Sequence, residues 1–509
     1  MSLLRWFDAA PARVLGGALV ALTALRVWGL TQSPLELHFD EAQYWMWSRT
    51  LEWGYFSKPP LIAWMIAATT ALFSNAEWAV RLTAPIAHAI GAGALFLLAR
   101  RMYGAGAGVW AGLLWITLPA VWLSSAIMST DALMLPIWSI ALYALWALID
   151  TRRWSWAVLL GAALGLGVLA KYAMLYFLLS AALAALLSAE ARRALLSPQG
   201  AGALALALLI AAPNLIWNAG HDFATLEHTA ANANLGGRLF HPEELLEFLA
   251  SQAGVIGPVL FIALIAALAR AARAPKELRA DDRFLIAFIL PPLIIILAQA
   301  LISRAHANWA AAAYPAAIVW LAGGLARGVA GRRTLIAALA THLALGGFVF
   351  AAGLNPTLID RLGLADSTKR VRGWRASAHE IAARAAAQTA PVSAIMLDHR
   401  ALYYELSYYW REELSAHPPL RMWLLHASAQ SDAETRAPMR AADGARVLVV
   451  HYDARFIAVA QSDFARCTRL EDARIDLGGG EARPLAFSLC EGFQPVPRDR
   501  AFEARVRAL

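Results

Sequence analysis

The chain has 509 residues, of which 59% are hydrophobic and only 16% are charged, and its formal net charge is +8 at pH 7. Soluble globular domains average about 45–50% apolar and about 25% charged residues. The composition therefore argues against a soluble enzyme and a disordered chain, and the presence of only two cysteines argues against a disulfide scaffold. It predicts a polytopic α-helical membrane protein.

Apolar stretches of about 20 residues, long enough to cross the hydrocarbon core of a bilayer, recur along the chain. We predict about eleven transmembrane helices, near residues 14–31, 79–99, 106–123, 133–149, 155–170, 172–189, 201–217, 251–269, 284–302, 310–326 and 334–352. The apolar segment 60–74 is interpreted as an interfacial or re-entrant helix, because counting it as a span would disturb the alternation of charge described next. The pair at 155–189 is predicted as two spans, although it could be misread as one long helix.

Lysine and arginine concentrate in alternate loops. The rich loops contain Arg5, Arg13, Arg100, Arg101, Arg152, Arg153, Arg192, Arg193, Arg270, Arg273, Lys276, Arg279, Arg283, Arg327, Arg332 and Arg333, and the poor loops contain Arg49, Lys58, Arg81, Lys171, Arg238 and Arg304. The positive-inside rule places the rich loops and the N-terminus in the cytoplasm. Because the basic residues come in pairs at helix ends and not in one stripe, nucleic acid is not an expected partner. No cleavable signal peptide is evident, since span 14–31 is long.

The first outer loop, residues 32–78, is rich in polar and aromatic residues. Its two distinctive runs are Phe39-Asp40-Glu41-Ala42-Gln43-Tyr44 and Tyr55-Phe56-Ser57-Lys58-Pro59-Pro60. Glu41 and Tyr44 fall on one helical face, so we predict a helix that lies flat at the interface with its acidic start facing a catalytic cavity. The alternative is that the two carboxylates only serve the dipole of this helix.

Further polar residues mark the other predicted outer loops. Asp131 stands alone at the start of a span, where capping the helix would be a sufficient role. Lys171 and Tyr172 form the turn between two spans, and this lysine either snorkels or faces a polar cavity. Arg304 and His306 lie in the loop before the span at 310–326. Taken together, these side chains gather on one membrane face.

The tail, residues 354–509, differs from the rest because it is rich in Arg, Asp, Glu and His. Short β-like runs at Val392–Leu397, Leu420–Leu425 and Arg446–His451 alternate with helical stretches at Ser377–Ala387 and Leu402–Arg411. This alternation predicts a small extracytoplasmic α/β domain. That compartment permits disulfides, so Cys467 and Cys490 are expected either to be bridged or to remain as two unpaired thiols.

Such a set of charges suits a sugar donor that is linked through phosphate to a polyprenyl chain embedded in the membrane lipids. Cations stabilise the leaving phosphate, and a carboxylate takes the proton of the acceptor. We expect Asp40 to be the base with Glu41 as second candidate, and Asp131 to orient a cation or the acceptor. The expected phosphate contacts are Lys58, Lys171 and Arg304, and the expected substrate contacts are Tyr44, Tyr55, Tyr172 and His306. No nucleotide-binding signature is present.

The two runs of the first outer loop resemble those of polyprenyl-phosphate-sugar-dependent glycosyltransferases of the GT-C type. These include the dolichyl-phosphate-mannose protein mannosyltransferase-like proteins and the bacterial lipid A aminoarabinose transferases. Asp131 matches the second acidic position of the family, and Lys171 resembles a lysine often found at the next outer turn. The resemblance covers roughly residues 14–320 in layout, and its specific motifs lie mainly within 37–64 and 129–138.

This resemblance implies a GT-C-like fold, a periplasm-facing active site and inverting transfer of the sugar. It carries Asp40 over as the catalytic carboxylate and Lys58 as a contact to the donor phosphate. One departure concerns Ser57, because the aminoarabinose transferases typically have a glutamate there that helps to hold a divalent metal. Serine is a poor ligand, so no metal site or other cofactor is predicted.

The sequence therefore predicts a transmembrane GT-C-like catalytic domain over residues 1–353 and a periplasmic α/β domain over 354–509. The expected protein is a glycosyltransferase of a bacterial inner membrane that acts on a lipid or envelope glycan such as lipid A. The alternative is a polytopic transporter or lipid-sugar flippase, which should show internal repeats, broken helices and midplane charges. A third possibility, a sensor or scaffold, would leave the loop from Asp40 to Lys58 without a role.

Overall fold

A computed structural model describes residues 10–231 and 239–507. The chain forms two compact units, and each is discontinuous in sequence. The first, called here the helical unit, comprises Met1–Gln32 and Glu52–Ala351. The second, called the α/β unit, comprises Ser33–Leu51 and Ala352–Leu509. The acidic half of the first predicted outer loop thus folds with the tail.

Six long apolar helices dominate the helical unit. With 22 to 27 residues each, they reach at least about 33 Å at 1.5 Å per residue, which is enough to cross a bilayer core of about 30 Å. They are Pro11–Gln32, Glu77–Tyr103 (a short helix, Glu77–Arg81, continued by Thr83–Tyr103), Thr130–Thr151, Pro198–Ala219, Ala280–Ile302 and Val329–Leu354. Each coincides with a predicted span, so the membrane class is supported.

Four further apolar helices are shorter, and these are Leu61–Leu72, Ala105–Thr117, Trp154–Ala170 and Tyr172–Leu187. The last of them opens with a 3₁₀ turn, Tyr172–Leu175, so the chain breaks at Lys171 and 155–189 is not one continuous helix. Leu61–Leu72 has 12 residues, about 18 Å, which is too short to span as a straight helix. The count of eleven spans stays a prediction.

Three further predicted spans are also interrupted. The span predicted at 251–269 is wrong as drawn, because Pro242–Ile256 and Pro258–Arg273 meet at an angle of 114°. Gly257 forms the corner with a φ of 85°, and a Cβ there would lie 2.5 Å from Nε2 of His342. The chain also breaks before Pro119–Ser124, and the span at 310–326 begins with a 3₁₀ segment, Ala307–Ala313, before Tyr314–Leu325.

Small residues let the helices of this unit approach closely. Trp154–Ala170 packs against Pro198–Ala219 and Thr130–Thr151. A Cβ on Gly161 would lie 2.5 Å from the carbonyl oxygen of Ala203, and one on Gly165 would lie 2.6 Å from Cβ of Ile210. Such glycines are typical of membrane helix interfaces, where backbone contact replaces the hydrophobic effect. Two short helices, Ala189–Leu195 and Ala224–Ala231, complete the unit.

The α/β unit is built on one six-stranded sheet. Its strands are β1 Ala394–Leu397, β2 Leu420–Met422, β3 Val447–His451, β4 Phe464–Arg469, β5 Ala473–Gly478 and β6 Glu481–Phe493. The order is β2-β1-β3-β6-β4, and β5 also pairs with β6. β1 is parallel to β2 and β3, whereas β6 is antiparallel to its neighbours. The helices are Phe39–Trp47, Thr357–Arg361, Trp374–Ala386, Arg400–Tyr409, Asp432–Arg436, Ile457–Gln461 and Arg500–Arg507.

The predicted strands at 392–397, 420–425 and 446–451 and both predicted helices of the tail are confirmed. The antiparallel strands β4 to β6 were not predicted. Cys467 and Cys490 occupy directly opposed positions on β4 and β6 and form a disulfide bond. Cys490 is buried in an apolar cluster with Val447, Val449 and Phe493. The bridge therefore joins an edge strand to the core of the sheet.

Three contacts explain why residues 33–51 fold with the tail. The carboxylate of Glu36 accepts hydrogen bonds from the backbone N–H groups of Trp374 and Arg375, and so caps the helix Trp374–Ala386. The N–H of Leu37 donates to Oη of Tyr409 over 3.3 Å. Nε1 of Trp47 donates to Oδ2 of Asp432 over 2.8 Å, and Trp47 is fully buried.

Candidate functional site

The acidic helix Phe39–Trp47 begins with a capping box. The ring of His38 accepts the N–H of Asp40, and the carboxylate of Glu41 accepts the N–H of His38 over 2.9 Å. Glu41 is completely buried. Its carboxylate therefore accepts a backbone N–H at the start of the helix that has no partner within the helix itself. A catalytic role for Glu41 stays a prediction, and its observed contact is structural.

Asp40 differs from its neighbour because its carboxylate is partly open to solvent, with 39% of the side chain exposed. Oδ1 lies 3.2 Å from Nη2 of Arg400, and Oδ2 lies 3.9 Å from Nδ1 of His38. Nη1 of Arg400 donates to Oε1 of Gln43 over 2.8 Å. The result is a partly accessible carboxylate that is held by one charged donor.

Two histidines cap helices next to this carboxylate. Nδ1 of His38 accepts from Asp40 N, and Nδ1 of His399 accepts from Ala401 N, each over 3.2 Å. Burial lowers the pKa of both rings below the usual histidine value. Burial also raises the pKa of Glu36, against the opposing effect of its two backbone donors. The histidines are therefore neutral near pH 7, as their role as acceptors requires.

A second charged cluster lies in the helical unit. Nζ of Lys171 lies 2.8 and 2.9 Å from the two carboxylate oxygens of Asp131, and Nδ2 of Asn308 donates to Oδ2 over 2.6 Å. Ser129 performs the capping of the helix by accepting the N–H of Ala132. Asp131 is therefore free of the capping role that was its simplest explanation. The structure brings together two of the predicted site residues and adds Asn308.

Tyr172 belongs to a network of amides in the same unit. Its hydroxyl donates to Oδ1 of Asn214 over 2.9 Å and accepts from Nδ2 of Asn218 over 3.0 Å. Nδ2 of Asn214 in turn donates to the carbonyl oxygen of Trp53 over 2.7 Å. These bonds anchor the turn after Lys171 to the chain that leads into the Tyr55 run. Substrate contact by Tyr172 stays a prediction.

The run from Tyr55 to Lys58 is held by its own backbone. The N–H of Tyr55 donates to the carbonyl oxygen of Lys58 over 3.1 Å. The N–H of Glu52 donates to Oη of Tyr55 over 3.2 Å, and Thr225 donates to the carbonyl oxygen of Tyr55 over 2.6 Å. Lys58 is half-buried, whereas Tyr55 is buried. The turn therefore fixes the position from which the lysine side chain projects.

The aromatic and loop residues behave in two ways. In the α/β unit, Tyr44 is buried and packs against Trp47 with ring centres 5.6 Å apart. In the helical unit, Arg304 and His306 are exposed, and His306 meets Trp309 edge to face at 5.1 Å. Burial of Tyr44 and Tyr55 gives both rings a packing role, and the binding roles of all four residues stay predictions.

Among residues 10–231 and 239–507, no group of three or more His, Cys, Asp or Glu side chains is arranged to hold a metal ion. Ser57, at the position where a glutamate would be a ligand, is buried.

The sequence analysis assigned no role to several residues of the two charged clusters and of the Tyr172 network, namely Gln43, Arg400, Asn214, Asn218 and Asn308. Arg400 is 360 positions from Asp40, and Asn308 is 177 positions from Asp131. Such pairs carry no local pattern. Only the excess of polar side chains in the loop 303–309 gave a signal, and it pointed to the neighbouring residues Arg304 and His306.

Comparison with protein families supports the resemblance read from the motifs. The family described as dolichyl-phosphate-mannose-protein mannosyltransferase matches residues 57–217. The matched region includes Lys58, Asp131 and Lys171. Asp40 lies outside it, on the N-terminal side.

Two curated relatives come from Rhizobium johnstonii. The lipid A galacturonosyltransferase RgtD is 40% identical over 313 residues, which cover 60% of this chain and 65% of that protein. The lipopolysaccharide core galacturonosyltransferase RgtA is 30% identical over 222 residues, which cover 42% of this chain and 44% of that protein. The chain thus matches slightly less than two thirds of the length of RgtD and less than half of the length of RgtA.

Two crystal structures of ArnT from Cupriavidus metallidurans share the fold. The apo structure has a TM-score of 0.64 at 18% identity and covers 94% of this chain and 98% of ArnT. The structure bound to undecaprenyl phosphate has a TM-score of 0.62 at 18% identity and covers 96% of this chain and all of ArnT. The resemblance to GT-C-type polyprenyl-phosphate-sugar glycosyltransferases is confirmed by the family match, the relatives and this shared fold.

Proposed function

We propose that the chain is an integral-membrane glycosyltransferase that acts on the periplasmic face of a bacterial inner membrane. It moves a sugar from a polyprenyl-phosphate donor to a lipid or envelope-glycan acceptor. The observation that carries the proposal is 40% identity to a lipid A galacturonosyltransferase in a chain with the ArnT fold. On the same ground we take galacturonic acid as the sugar and lipid A as the acceptor.

Asp40 is the proposed general base. The acceptor hydroxyl gives its proton to this carboxylate while its oxygen attacks C1 of the sugar from the face opposite the phosphate. The C1–O bond breaks, the electron pair leaves with the polyprenyl phosphate, and the configuration at C1 inverts. The partial exposure of Asp40 leaves it able to receive a proton, whereas Glu41 is committed to the capping box. We therefore assign Glu41 a positioning role.

Cations offset the charge that develops on the leaving phosphate. Lys58 and Arg304 are the proposed direct contacts. Lys171 already pairs with Asp131, so we propose that these two residues and Asn308 act as one polar group that orients the donor. Tyr172 and His306 are the proposed contacts to sugar hydroxyls.

The transporter alternative draws support from one observation, because the helix pair bent by 114° is the kind of broken span that transporters use. The transferase proposal is favoured by the fold shared with ArnT along 94% of the chain. The two functions differ in their product. A transporter returns the lipid-linked sugar unchanged, and a transferase releases polyprenyl phosphate.

The decisive experiment reconstitutes the full chain in liposomes with polyprenyl-phosphate-linked galacturonic acid and lipid A. Mass spectrometry should detect lipid A that is heavier by one galacturonic acid. Asp40→Asn should abolish this product but leave insertion and donor binding largely intact, because only the base is lost. Asp366→Asn is the matched control, since this exposed carboxylate pairs with Lys369. No product from the wild-type protein, or wild-type turnover by Asp40→Asn, would contradict the proposal.

A second variant addresses the donor phosphate. Lys58→Ala should weaken binding of the polyprenyl-phosphate sugar by about tenfold, because one charge-assisted hydrogen bond is lost. Titration of the labelled donor into detergent-solubilised protein measures this. Lys276→Ala, at an exposed lysine, controls for net charge. An unchanged donor affinity in Lys58→Ala would remove this lysine from the phosphate site.

A further inference from the structure

Within the α/β unit, Arg400 contacts the first turn of the acidic helix Phe39–Trp47. It opens the helix Arg400–Tyr409, directly after the cap at His399. Its guanidinium group reaches Oδ1 of Asp40 and Oε1 of Gln43 with two different nitrogens. Its central carbon also lies 5.0 Å from the ring centre of Phe39. Three contacts from one side chain thus converge on positions 39, 40 and 43.

The stability of this region does not depend on the pair between Arg400 and Asp40. Their side chains are 35% and 39% exposed, and exposed ion pairs contribute only about 0–1 kcal/mol. The helix Phe39–Trp47 is already fixed by its capping box and by the buried bond of Trp47 to Asp432. The contact between Arg400 and the proposed base therefore contributes little to the stability of this region.

The contact has the right chemistry to orient a base. An arginine stays protonated at every relevant pH. It therefore does not compete with the acceptor hydroxyl as the source of the proton that Asp40 receives. It occupies Oδ1 of Asp40, and Oδ2 keeps a distance of 3.9 Å from His38. One carboxylate oxygen is therefore anchored, and the other can accept the proton. Gln43, which is buried, accepts from Nη1 of Arg400 through Oε1 and so fixes the guanidinium plane.

We infer that Arg400 is a positioning residue of the transfer reaction, which holds the Asp40 carboxylate in the orientation that receives the acceptor proton. The inference rests on the proposed function. It assigns the tail a task in catalysis, because the residue that orients the base comes from beyond position 352. It also predicts a requirement for arginine itself. A lysine offers a single nitrogen and cannot hold Asp40 and Gln43 in one fixed fork.

The test measures steady-state transfer by the full chain in liposomes for Arg400→Gln, Arg400→Lys and the control Arg466→Gln. Arg466 is an exposed arginine of the same unit, and it pairs with Glu491 at 2.5 Å. Arg400→Gln should lower kcat by about 10- to 100-fold, the usual effect of a misplaced catalytic group. The KM for the donor should change less than about twofold, because Arg400 does not take part in ground-state binding of the donor. Arg400→Lys should recover part of the loss, and the control should match the wild type.

Two further measurements separate positioning from folding. The thermal midpoints of the purified variants should agree with the wild type. Titration of the labelled donor should give Arg400→Gln an affinity within about twofold of the wild type, because the residue acts on the base and not on the donor. A wild-type kcat in Arg400→Gln, or a loss of kcat accompanied by a lower thermal midpoint, would overturn the inference while leaving the proposed function intact. Failure of the proposed function would show instead as no transfer by the wild type.

Discussion

At the residue scale, the cluster of Asp131, Lys171 and Asn308 shows where sequence reasoning succeeds and where it ends. The isolation of Asp131 and Lys171 among apolar neighbours identified both as unusual. Their mutual contact at 2.8 Å could not be predicted, because it joins the start of one helix to the end of another, 40 positions apart. The role that sequence alone would give Asp131, capping its helix, belongs to Ser129.

This pairing leads to a prediction for Lys171. Lys171→Met leaves the carboxylate of Asp131, which is buried, with Asn308 as its remaining observed donor. We expect a loss of about 1–3 kcal/mol in unfolding free energy. The double variant Lys171→Met/Asp131→Asn should recover much of this loss, since the unpaired charge is gone. Thermal unfolding in detergent measures both.

Arg304→Gln provides the control, because Arg304 is exposed and its loss should not change the midpoint. If the single and double variants of the Lys171 pair were equally unstable, the ion pair would not be the reason that Lys171 is needed. A weaker donor affinity without any change in stability would instead favour the direct phosphate contact that the sequence predicts.

At the scale of elements, segment types were predictable and their breaks were not. The shared helical face of Glu41 and Tyr44 predicted the helix Phe39–Trp47, and the alternating tail predicted strands β1 to β3, because local propensity and burial agree there. The bend at Gly257 was not predicted, although the dipeptide Gly257-Pro258 is typical of a turn, because the stretch around it is long and apolar enough to be interpreted as one span. Strands β5 and β6 were not predicted either, because the three consecutive glycines Gly478 to Gly480 and the polar residues around them are typical of a loop.

The two histidine caps predict how the α/β unit responds to acid. Because burial lowers the folded-state pKa of His38 and His399, below about pH 6.5 the unfolded chain binds more protons than the folded chain. Stability is therefore present above this pH and lost as the pH falls. Protonation of Nδ1 also removes the acceptor of each cap. Hydrogen exchange of peptides 39–47 and 400–409 should show several-fold lower protection at pH 5.5 than at 7.5, after correction for intrinsic rates.

The control for this effect is His38→Asn/His399→Asn, because asparagine caps helices and does not titrate. Its protection should vary less between the two pH values.

Other charges act on the rings of His38 and His399. Asp40 and Glu41 raise the pKa of His38, and Arg370 and Arg400 lower it. Asp398 and Asp453 raise the pKa of His399, and Arg400 lowers it. Equal pH dependence in the wild type and the double variant would show that these other groups dominate.

At the scale of the whole molecule, the α/β unit is assembled from two distant parts of the chain. Composition changes abruptly near residue 353, so the sequence indicates a boundary there. It gives no sign that Ser33–Leu51 belongs to the unit that contains Ala352–Leu509. The contacts responsible, from Glu36 to the start of Trp374–Ala386 and from Trp47 to Asp432, are tertiary. The proposed base therefore depends on the tail for its setting.

Cutting the chain tests this assembly directly. A protease site inserted at Gly363, between the exposed residues Leu362 and Leu364, allows cleavage after purification in detergent. The fragment that starts at 364 should remain bound to the N-terminal fragment, because Glu36, Leu37 and Trp47 still hold it from the other side of the cut. Size-exclusion chromatography followed by denaturing electrophoresis measures co-elution. When Glu36→Ala and Trp47→Leu are added, release of the fragment should increase. If the two fragments of the otherwise unmutated protein elute separately after cleavage, segment 33–51 does not anchor the tail.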